Sequence, residues 1–197
     1  MVKNIVFDIG NVLVDFGWKQ FYEGFGMPED VLERVAAATV NDPDWNEIDR
    51  GVLSEEEVMN LLVENDPGVE AYIRKALSNI NGMLIQFNYA KKWIKDLQNK
   101  GYNVYCLSNM SYKACDECSD ALDFLPLLDG YVLSCDVKVN KPDEKIYKIL
   151  FDKYALKADE CVFIDDLERN VEAARLVGMK GIVFKSKDET DKLLSEL

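Results

Sequence analysis

Short apolar segments with the composition of buried β-strands alternate along this chain with segments of helical periodicity. The strand segments are residues 5–7, 104–107, 131–133, 161–164 and 181–184. They are rich in β-branched and aromatic residues, which are typical of strands that are buried on both faces. Strands that alternate with helices at this spacing form a parallel sheet with helices on both sides. The sequence therefore predicts an α/β fold with a doubly wound, five-stranded, Rossmann-like parallel sheet.

The long region between the first two predicted strands carries helical signals instead. Ser54 and Glu57 form a capping box ahead of an amphipathic segment. A chain of 197 residues buries roughly 70% of its unfolded surface, which is enough for one core with an inserted subdomain. We therefore expect a core domain made of residues 1–15 and 83–197, with a helical cap subdomain of residues 16–82 inserted after the first strand.

Polar residues stand at the carboxyl ends of three of the predicted strands. They are Asp8, the pair Ser108 and Asn109, and the pair Asp165 and Asp166. Ligands of open α/β sheets bind beyond the carboxyl ends of the strands, so neighbouring strands would bring these side chains into one site. Two carboxylates there repel each other by about 4 kcal/mol at roughly 4 Å and an effective dielectric near 20. The cluster therefore needs a cation or a proton, and an oxygen-only ligand set suits Mg²⁺.

A lysine that precedes a predicted helix supplies a second positive charge. Pro142 is predicted to begin this helix, which would place Lys141 at a helix N-terminus, where backbone amides and the helix dipole attract anions. A lysine beside a hydroxyl, an amide and a metal ion would form a cradle for a phosphate group. Asp8 could then act as a nucleophile that forms an aspartyl-phosphate, which water later cleaves.

The chain contains no histidine. This excludes every mechanism that uses imidazole as a base, as a metal ligand or as a member of a catalytic triad. Proton transfer therefore falls to carboxylates, lysine, tyrosine, cysteine or water.

The net charge and the number of cysteines indicate which classes of binding partner and which cellular compartment to expect. The net charge is −13, spread along the chain, which opposes binding to nucleic acid. Five cysteines form no framework of bridges, which is typical of a reducing compartment. No window approaches the roughly 18 apolar residues of a membrane span, and Asp8 interrupts the N-terminal apolar run before it could serve as an export signal. We expect a cytoplasmic protein whose partner is a small molecule, with no nucleic acid and no membrane.

Four short motifs resemble, in the same order, those of the haloacid dehalogenase (HAD) superfamily. They are residues 7–12, 107–109, 141–143 and 164–166. The resemblance spans nearly the whole chain. It is strongest to members with a helical C1-type cap after the first motif, which include bacterial glucose 1-phosphate phosphatases and the N-terminal phosphatase domain of soluble epoxide hydrolase. Residues 49–54 resemble the Glu-Arg-Gly-x-(Ile/Leu)-Ser cap segment of that group, with Asp49 in place of the usual Glu.

The resemblance implies a Mg²⁺-dependent phosphatase that acts on a small phosphorylated metabolite, for example the sugar phosphate glucose 1-phosphate, through an aspartyl-phosphate. It assigns Asp8 as the nucleophile and as a metal ligand. The carbonyl of Gly10 and the carboxylate of Asp166 would be further ligands, and Asp165 would bind the metal through water or orient its waters.

The same resemblance assigns the phosphate-binding groups. Ser108 and Asn109 would donate hydrogen bonds to the transferring phosphoryl group. Lys141 would bridge the phosphate and Asp8, and Asn11 would contribute to substrate binding.

One position departs from the family pattern. Most phosphatases of the superfamily have a second Asp two residues after the nucleophile, as general acid and base, and this chain has Gly10 there. Such catalysis is typically worth about 10² to 10⁴ in rate. Either another group or metal-ordered water donates the proton, or turnover is slow and the chain is a phosphate-binding regulatory protein. A 2-haloacid dehalogenase, which also uses an Asp nucleophile but no metal, is a further alternative.

Overall fold

Seven strands are present in the computed structural model, which describes residues 1–197. They are β1 (Asn4–Phe7), β2 (Val14–Phe16), β3 (Leu84–Gln86), β4 (Asn103–Ser108), β5 (Gly130–Leu133), β6 (Cys161–Asp165) and β7 (Lys180–Val183). Five of them form one parallel sheet in the order β5-β4-β1-β6-β7. The first strand therefore lies at the centre of the sheet, with β4 and β6 as its neighbours.

Eleven α-helices connect and cover the strands. They are α1 (Trp18–Glu23), α2 (Glu29–Ala38), α3 (Trp45–Arg50), α4 (Glu55–Asn65), α5 (Glu70–Leu77), α6 (Ala90–Asn99), α7 (Tyr112–Glu117), α8 (Ser134–Val137), α9 (Glu144–Tyr154), α10 (Glu168–Leu176) and α11 (Lys187–Ser195). The α/β fold with a five-stranded parallel sheet, predicted from the sequence, is confirmed.

The central strand packs apolar layers on both faces of the sheet, because successive side chains of a strand point to opposite sides. Ile5 and Phe7 face the layer that contains α6, where the rings of Phe7 and Trp93 lie 4.6 Å apart. Val6 faces the opposite layer, which contains apolar residues of α9 and α10 such as Ile146. Burial on both faces explains the uninterrupted apolar composition of this strand.

Helices α1 to α5 lie between the two short strands β2 and β3, which pair with each other in antiparallel fashion. These two strands were not predicted from the sequence, because three residues each are too few for a recognisable alternation. Ser54 forms the predicted capping box at the start of α4. We propose that residues 16–82 form a cap subdomain, since the β2–β3 pair joins the points where the chain leaves and re-enters the sheet region.

The start of α9 differs from the prediction. The helix begins at Glu144, and Asp143 is its N-cap, with Oδ1 accepting a hydrogen bond from the Lys145 amide at 2.9 Å. Pro142 therefore precedes the cap instead of opening the helix, because an aspartate side chain can accept a hydrogen bond from a free helix amide and a proline ring cannot. Lys141 lies ahead of the helix, and its ammonium group is held by other contacts, described below.

None of the helices combines the length and the apolar character needed to cross a lipid bilayer. All five cysteines are free thiols.

Gly130 on the edge strand β5 has no room for a larger residue. A Cβ atom at this position would lie 2.3 Å from the ring of Tyr154, whose hydroxyl accepts a hydrogen bond from the Tyr131 amide and donates one to the Tyr131 carbonyl. We expect Gly130→Ala to lower the free energy of unfolding by about 1–3 kcal/mol, measured by urea denaturation. The control is Gly10→Ala, where a Cβ atom would meet nothing within 4 Å. Equal stability of the two variants would contradict this account of β5.

Candidate active site

Three strand ends converge at the carboxyl edge of the sheet. Asp8 follows β1, Ser108 ends β4 and Asp165 ends β6, and these strands are neighbours. Carboxylate oxygens of Asp8, Asp165 and Asp166 lie within 4.8 Å of one another. The side chains that the sequence predicted to meet are therefore in one place.

The two oxygens of the Asp8 carboxylate have different surroundings. Oδ1 accepts hydrogen bonds from the amide of Ile9 at 2.7 Å and from the hydroxyl of Ser108 at 2.7 Å, and it lies 2.8 Å from the ammonium of Lys141. Oδ2 accepts no hydrogen bond from the protein. Burial raises the pKa of Asp8 to about 7, with a further increase from the charge of Asp165, while Lys141 opposes the shift. Asp8 is therefore fixed by one oxygen, and the other is available for chemistry.

Lys141 is the positive charge that holds the cluster together. Its side chain is only 1% exposed, and Nζ lies 2.6 Å from Oδ2 of Asp165 as well as beside Asp8. Burial alone would lower the pKa of Lys141, but the two carboxylates raise it above its ordinary value. The lysine is thus charged, and it orients both carboxylates.

The two adjacent aspartates of the last motif are held differently. Asp165 is fully buried, and Asn170 donates to both of its oxygens at 3.1 and 3.0 Å, while the Leu167 amide donates to Oδ1 at 2.8 Å. Asp166 is partly exposed to the cavity, and only its Oδ2 accepts a hydrogen bond, from Asn11 at 2.9 Å. Burial raises the pKa of Asp166. Asp166 therefore has an oxygen to offer to a cation, whereas both oxygens of Asp165 already have partners within the protein.

Ser108 and Asn109 use their polar atoms to position other site residues. Ser108 gives its single hydroxyl hydrogen to Asp8. The Asn109 side chain accepts from the Lys141 amide at 2.7 Å and donates to the Lys141 carbonyl at 3.1 Å. The family resemblance implies that both donate hydrogen bonds to a phosphoryl group. In this structure only the second amide hydrogen of Asn109 remains for that purpose, and Ser108 would have to turn its hydroxyl away from Asp8.

The side chain of Asn11 also makes its hydrogen bonds to other residues of the protein. Its backbone has φ of 55°, a left-handed conformation that asparagine tolerates better than most residues. Its side chain donates to Asp166 and accepts from the Phe16 amide at 3.2 Å. Asn11 lines the cavity, and its contact with a substrate stays a prediction. Its hydrogen bond to Asp166 joins the first sequence motif to the last one.

The acidic cluster suits a hard divalent cation. Its ligand atoms are carboxylate oxygens, with no thiolate or imidazole among them. Three close carboxylates face one ammonium, so a further positive charge would reduce their mutual repulsion. Mg²⁺ prefers oxygen ligands and keeps some of its waters, which fits the partly exposed position of Asp166. Gly10 lines the same cavity and its main chain is the predicted additional ligand.

A cavity of about 440 Å³ opens in front of this cluster. Its core side contains Asp8, Lys141 and Asp166, and its other side is formed largely by α3 and the loop before it. That second side is mixed, with polar groups such as Asn46 and apolar groups such as Trp45. A small molecule could therefore place one charged end at the cluster and the rest between the sheet edge and α3.

Asp49, on α3, lies in the site although no role for it was predicted from the sequence. The structure places it in the wall of the same cavity as Asp8. Burial raises its pKa to about 7, the charge of Asp8 raises it further, and Lys141 opposes the shift. The signal in the sequence was the match of residues 49–54 to a cap segment, but only the fold shows which way that segment faces.

Comparison with known proteins identifies relatives over the whole chain. Residues 2–178 match the family described as haloacid dehalogenase-like hydrolase. The chain is 25% identical to flavin mononucleotide hydrolase 1 of Arabidopsis thaliana, over 98% of this chain and 76% of that protein. It is also 25% identical to phosphatase MT3486 of Mycobacterium tuberculosis, over 100% of this chain and 94% of that one. It matches drimenol cyclase drtB of Aspergillus calidoustus at 24% identity but spans only 37% of that protein's length.

A solved structure shows the same fold. A HAD family enzyme from Bacteroides thetaiotaomicron, in complex with magnesium and inorganic phosphate, superposes with a TM-score of 0.71 at 22% identity. The superposition covers 98% of this chain and 99% of that chain.

Loss of Lys141 should destabilise the protein strongly. Lys141→Met would leave the buried carboxylates of Asp8 and Asp165 without their counter-charge, so we expect a loss of roughly 3–5 kcal/mol in the free energy of unfolding. The matched control is Lys3→Met, because Lys3 pairs with Glu160 at 2.7 Å but is 60% exposed. That change should cost less than about 1 kcal/mol. Similar losses in the two variants, measured by urea denaturation, would contradict the central role of Lys141.

Mg²⁺ should stabilise the folded chain. At 100 times its dissociation constant, a ligand that binds only the folded state contributes about 2.7 kcal/mol. We expect the melting temperature to rise with MgCl₂, and Asp166→Asn to reduce the rise because a ligand oxygen is lost. Asp152→Asn, an exposed substitution of the same kind on α9, should retain the full rise. A shift that is equal in all three proteins would argue against a site at this cluster.

Proposed function

Because this chain belongs to the haloacid dehalogenase-like hydrolase family, we propose that it is a Mg²⁺-dependent phosphomonoesterase for a small phosphorylated metabolite. The observation that carries the proposal is the asymmetry of Asp8. One of its oxygens is fixed by three donors and the other has none, in a cavity wall next to a buried lysine and two further carboxylates. That is the arrangement that an aspartate nucleophile needs.

Each residue has a task in the proposed reaction. Oδ2 of Asp8 attacks the phosphorus atom, because Oδ1 is occupied by hydrogen bonds that hold the carboxylate in one orientation. Lys141 lies beside Asp8 and offsets negative charge on the phosphoryl oxygens. The ester oxygen leaves, and an aspartyl-phosphate on Asp8 remains. Water then attacks this intermediate, which releases inorganic phosphate and restores the carboxylate.

The metal site is proposed at the same edge. Asp8, Asp166 and the Gly10 carbonyl would hold Mg²⁺, and Asp165 would act on it through water, since both Asp165 oxygens are engaged with the protein. The ion would supply positive charge to the phosphoryl oxygens. The buried hydrogen bonds of Asp165 indicate that its main contribution is to hold Lys141 in place.

The cavity supports a compact substrate. Its volume of about 440 Å³ is within the range typical of small-molecule sites. Polar side chains on the cap side, among them Asn41 and Asn46, support a sugar phosphate such as glucose 1-phosphate as the first candidate. Apolar groups of the same wall, Phe16, Trp45 and Ile48, favour a second class, in which the phosphate is attached to a larger group with an apolar face. Flavin mononucleotide, which a relative hydrolyses according to its name, is a test compound for that class.

The direct test is phosphate release in the presence of Mg²⁺. We expect wild-type protein to hydrolyse 4-nitrophenyl phosphate and members of a panel of sugar and nucleotide phosphates. Asp8→Asn should lower turnover by on the order of 10³-fold or more, because the amide is not a nucleophile, and EDTA should abolish it. Asp152→Asn is the control for a charge change away from the site.

Two other results would overturn the proposal. Halide release from 2-halo acids that continues in EDTA would identify a dehalogenase. Binding of Mg²⁺ with beryllium fluoride, detected as a higher melting temperature, without phosphate release from any ester would identify a phosphate-binding protein that has lost turnover.

A further inference from the structure

The proposed reaction lacks a proton donor on the sheet side of the cavity. Gly10, two residues after Asp8, has no side chain, and a Cβ atom placed there would meet nothing within 4 Å. An alcohol leaving group departs poorly as an alkoxide, so its oxygen needs a proton as the bond to phosphorus breaks. Metal-ordered water or a group in another part of the cavity wall would supply this proton.

Asp49 is a carboxyl group on the opposite wall. It lies near the end of α3 and lines the cavity together with Asp8, Gly10 and Lys141. Its carboxylate takes part in no hydrogen bond or ion pair, and the groups that act on its charge are Asp8 and Lys141. A carboxyl group without a structural partner, in the wall of the cavity that the nucleophile also lines, is free to exchange protons with a ligand.

The fold holds this carboxyl group in position through its backbone. The Ser134 hydroxyl, at the start of α8, donates to the Asp49 carbonyl at 2.6 Å, and the same hydroxyl accepts from the Met110 amide at 2.9 Å. Met110 follows Asn109, so the link runs from Asp49 to the loop beside the nucleophile. Asp49 is thus attached to residues outside the proposed cap and not only to the cap itself.

Two more contacts fix the ends of the same helix. Asn140 donates to the Asn46 carbonyl at 2.7 Å, and Lys138 donates to the carbonyl of Gly51. Gly51 has φ of 62°, and a Cβ atom there would lie 3.1 Å from the Cβ of Cys135. The helix therefore approaches α8 closely at a point where only glycine fits. These contacts define the position of Asp49 before any ligand binds.

The electrostatic surroundings agree with a role in proton transfer. Burial and the charge of Asp8 raise the pKa of Asp49 to about 7, against the effect of Lys141. The other charged groups in the cavity wall are Asp42, Lys113, Asp166 and Arg169. A group whose pKa lies near neutrality can both give and accept a proton at ordinary pH.

We propose that Asp49 is the catalytic acid and base that replaces the carboxyl group missing at Gly10, an inference that rests on the proposed phosphomonoesterase function. In the first step the bond between phosphorus and the ester oxygen breaks while Oδ2 of Asp8 bonds to phosphorus, and the proton of Asp49 passes to the ester oxygen, which leaves as an alcohol. In the second step the Asp49 carboxylate takes a proton from the attacking water, whose oxygen bonds to phosphorus as the bond to Asp8 breaks.

The test is the dependence of turnover on the leaving group. The variant Asp49→Asn keeps the size of the side chain, but its amide group has no acidic proton to give. We expect kcat/KM for an alkyl phosphate such as glucose 1-phosphate or glycerol phosphate to fall by about 10² to 10⁴. The kcat/KM for 4-nitrophenyl phosphate should change only a few fold, because kcat/KM reports the first step and nitrophenolate leaves without a proton. The kcat of both esters also depends on the second step, in which the variant lacks its base, so kcat does not separate them. The matched control is Asp44→Asn, the same change on the residue just before α3, outside the cavity wall, which should leave both activities as in wild type.

A second variant tests whether proton donation is the lost function. Gly10→Asp in the Asp49→Asn background should raise the alkyl phosphate activity at least about tenfold, because Gly10 lines the cavity and a Cβ atom at that position would meet nothing within 4 Å. Absence of any recovery in the folded double variant would count against proton donation by Asp49.

The outcomes separate this inference from the proposed function. If Asp49→Asn lowers kcat/KM for alkyl and nitrophenyl phosphates equally, or lowers it for neither, Asp49 is not the acid and base, while Asp8-dependent phosphate release still supports the phosphomonoesterase. If wild-type protein releases phosphate from no ester, the proposed function fails, and this inference fails with it.

Discussion

The ion pairs of the buried Lys141 with Asp8 and Asp165 are the contacts on which the rest of the site depends. Nζ lies 2.8 Å from Asp8 and 2.6 Å from Asp165 in a region from which solvent is almost excluded. Carboxylates in such a place are costly unless they are paired and hydrogen-bonded. The single ammonium group compensates two strand ends at once, so it draws β1 and β6 into a common charged edge. The remaining negative charge explains why this edge suits a divalent cation, and that cation together with Lys141 would then attract a phosphate group.

Some residues around Lys141 hold other side chains in place, and others present their oxygen atoms to the cavity. Asn109 holds the main chain of Lys141, Ser108 holds Asp8, and Asn170 holds Asp165. These contacts fix the orientation of groups that face the cavity, chiefly one oxygen of Asp8 and one of Asp166. Preorganised polar groups of this kind lower the cost of arranging charge during a reaction. The proposed chemistry therefore uses few atoms, and most polar residues of the motifs serve to keep those atoms in place.

The proposed cap contributes more than a cover for the cavity. Ser134, Lys138 and Asn140, which lie outside the proposed cap, donate hydrogen bonds to backbone carbonyls of α3 and of the residue after it. Because these hydrogen bonds use main-chain atoms, the side chains of α3 remain free to face the cavity. The close contact between Gly51 and Cys135 sets the distance between α3 and α8. A carboxyl group delivered from this side can take the place of the one that the first motif lacks at Gly10.

The sequence by itself determined the parallel sheet, the three polar strand ends and the capping box at Ser54, because these depend on local composition, periodicity and spacing. It also placed Lys141 in the site, although for a different reason from the observed one, since the helix begins at Glu144 with Asp143 as its cap. Tertiary structure alone decided the strand order, the pairing of β2 with β3, the contacts of Asn109 and the direction in which Asp49 faces. Those features join residues that are distant in the chain, and neither residue of such a pair carries a local signal of its partner. Their geometry is set only when strands and helices pack and the buried polar groups must find hydrogen-bond partners.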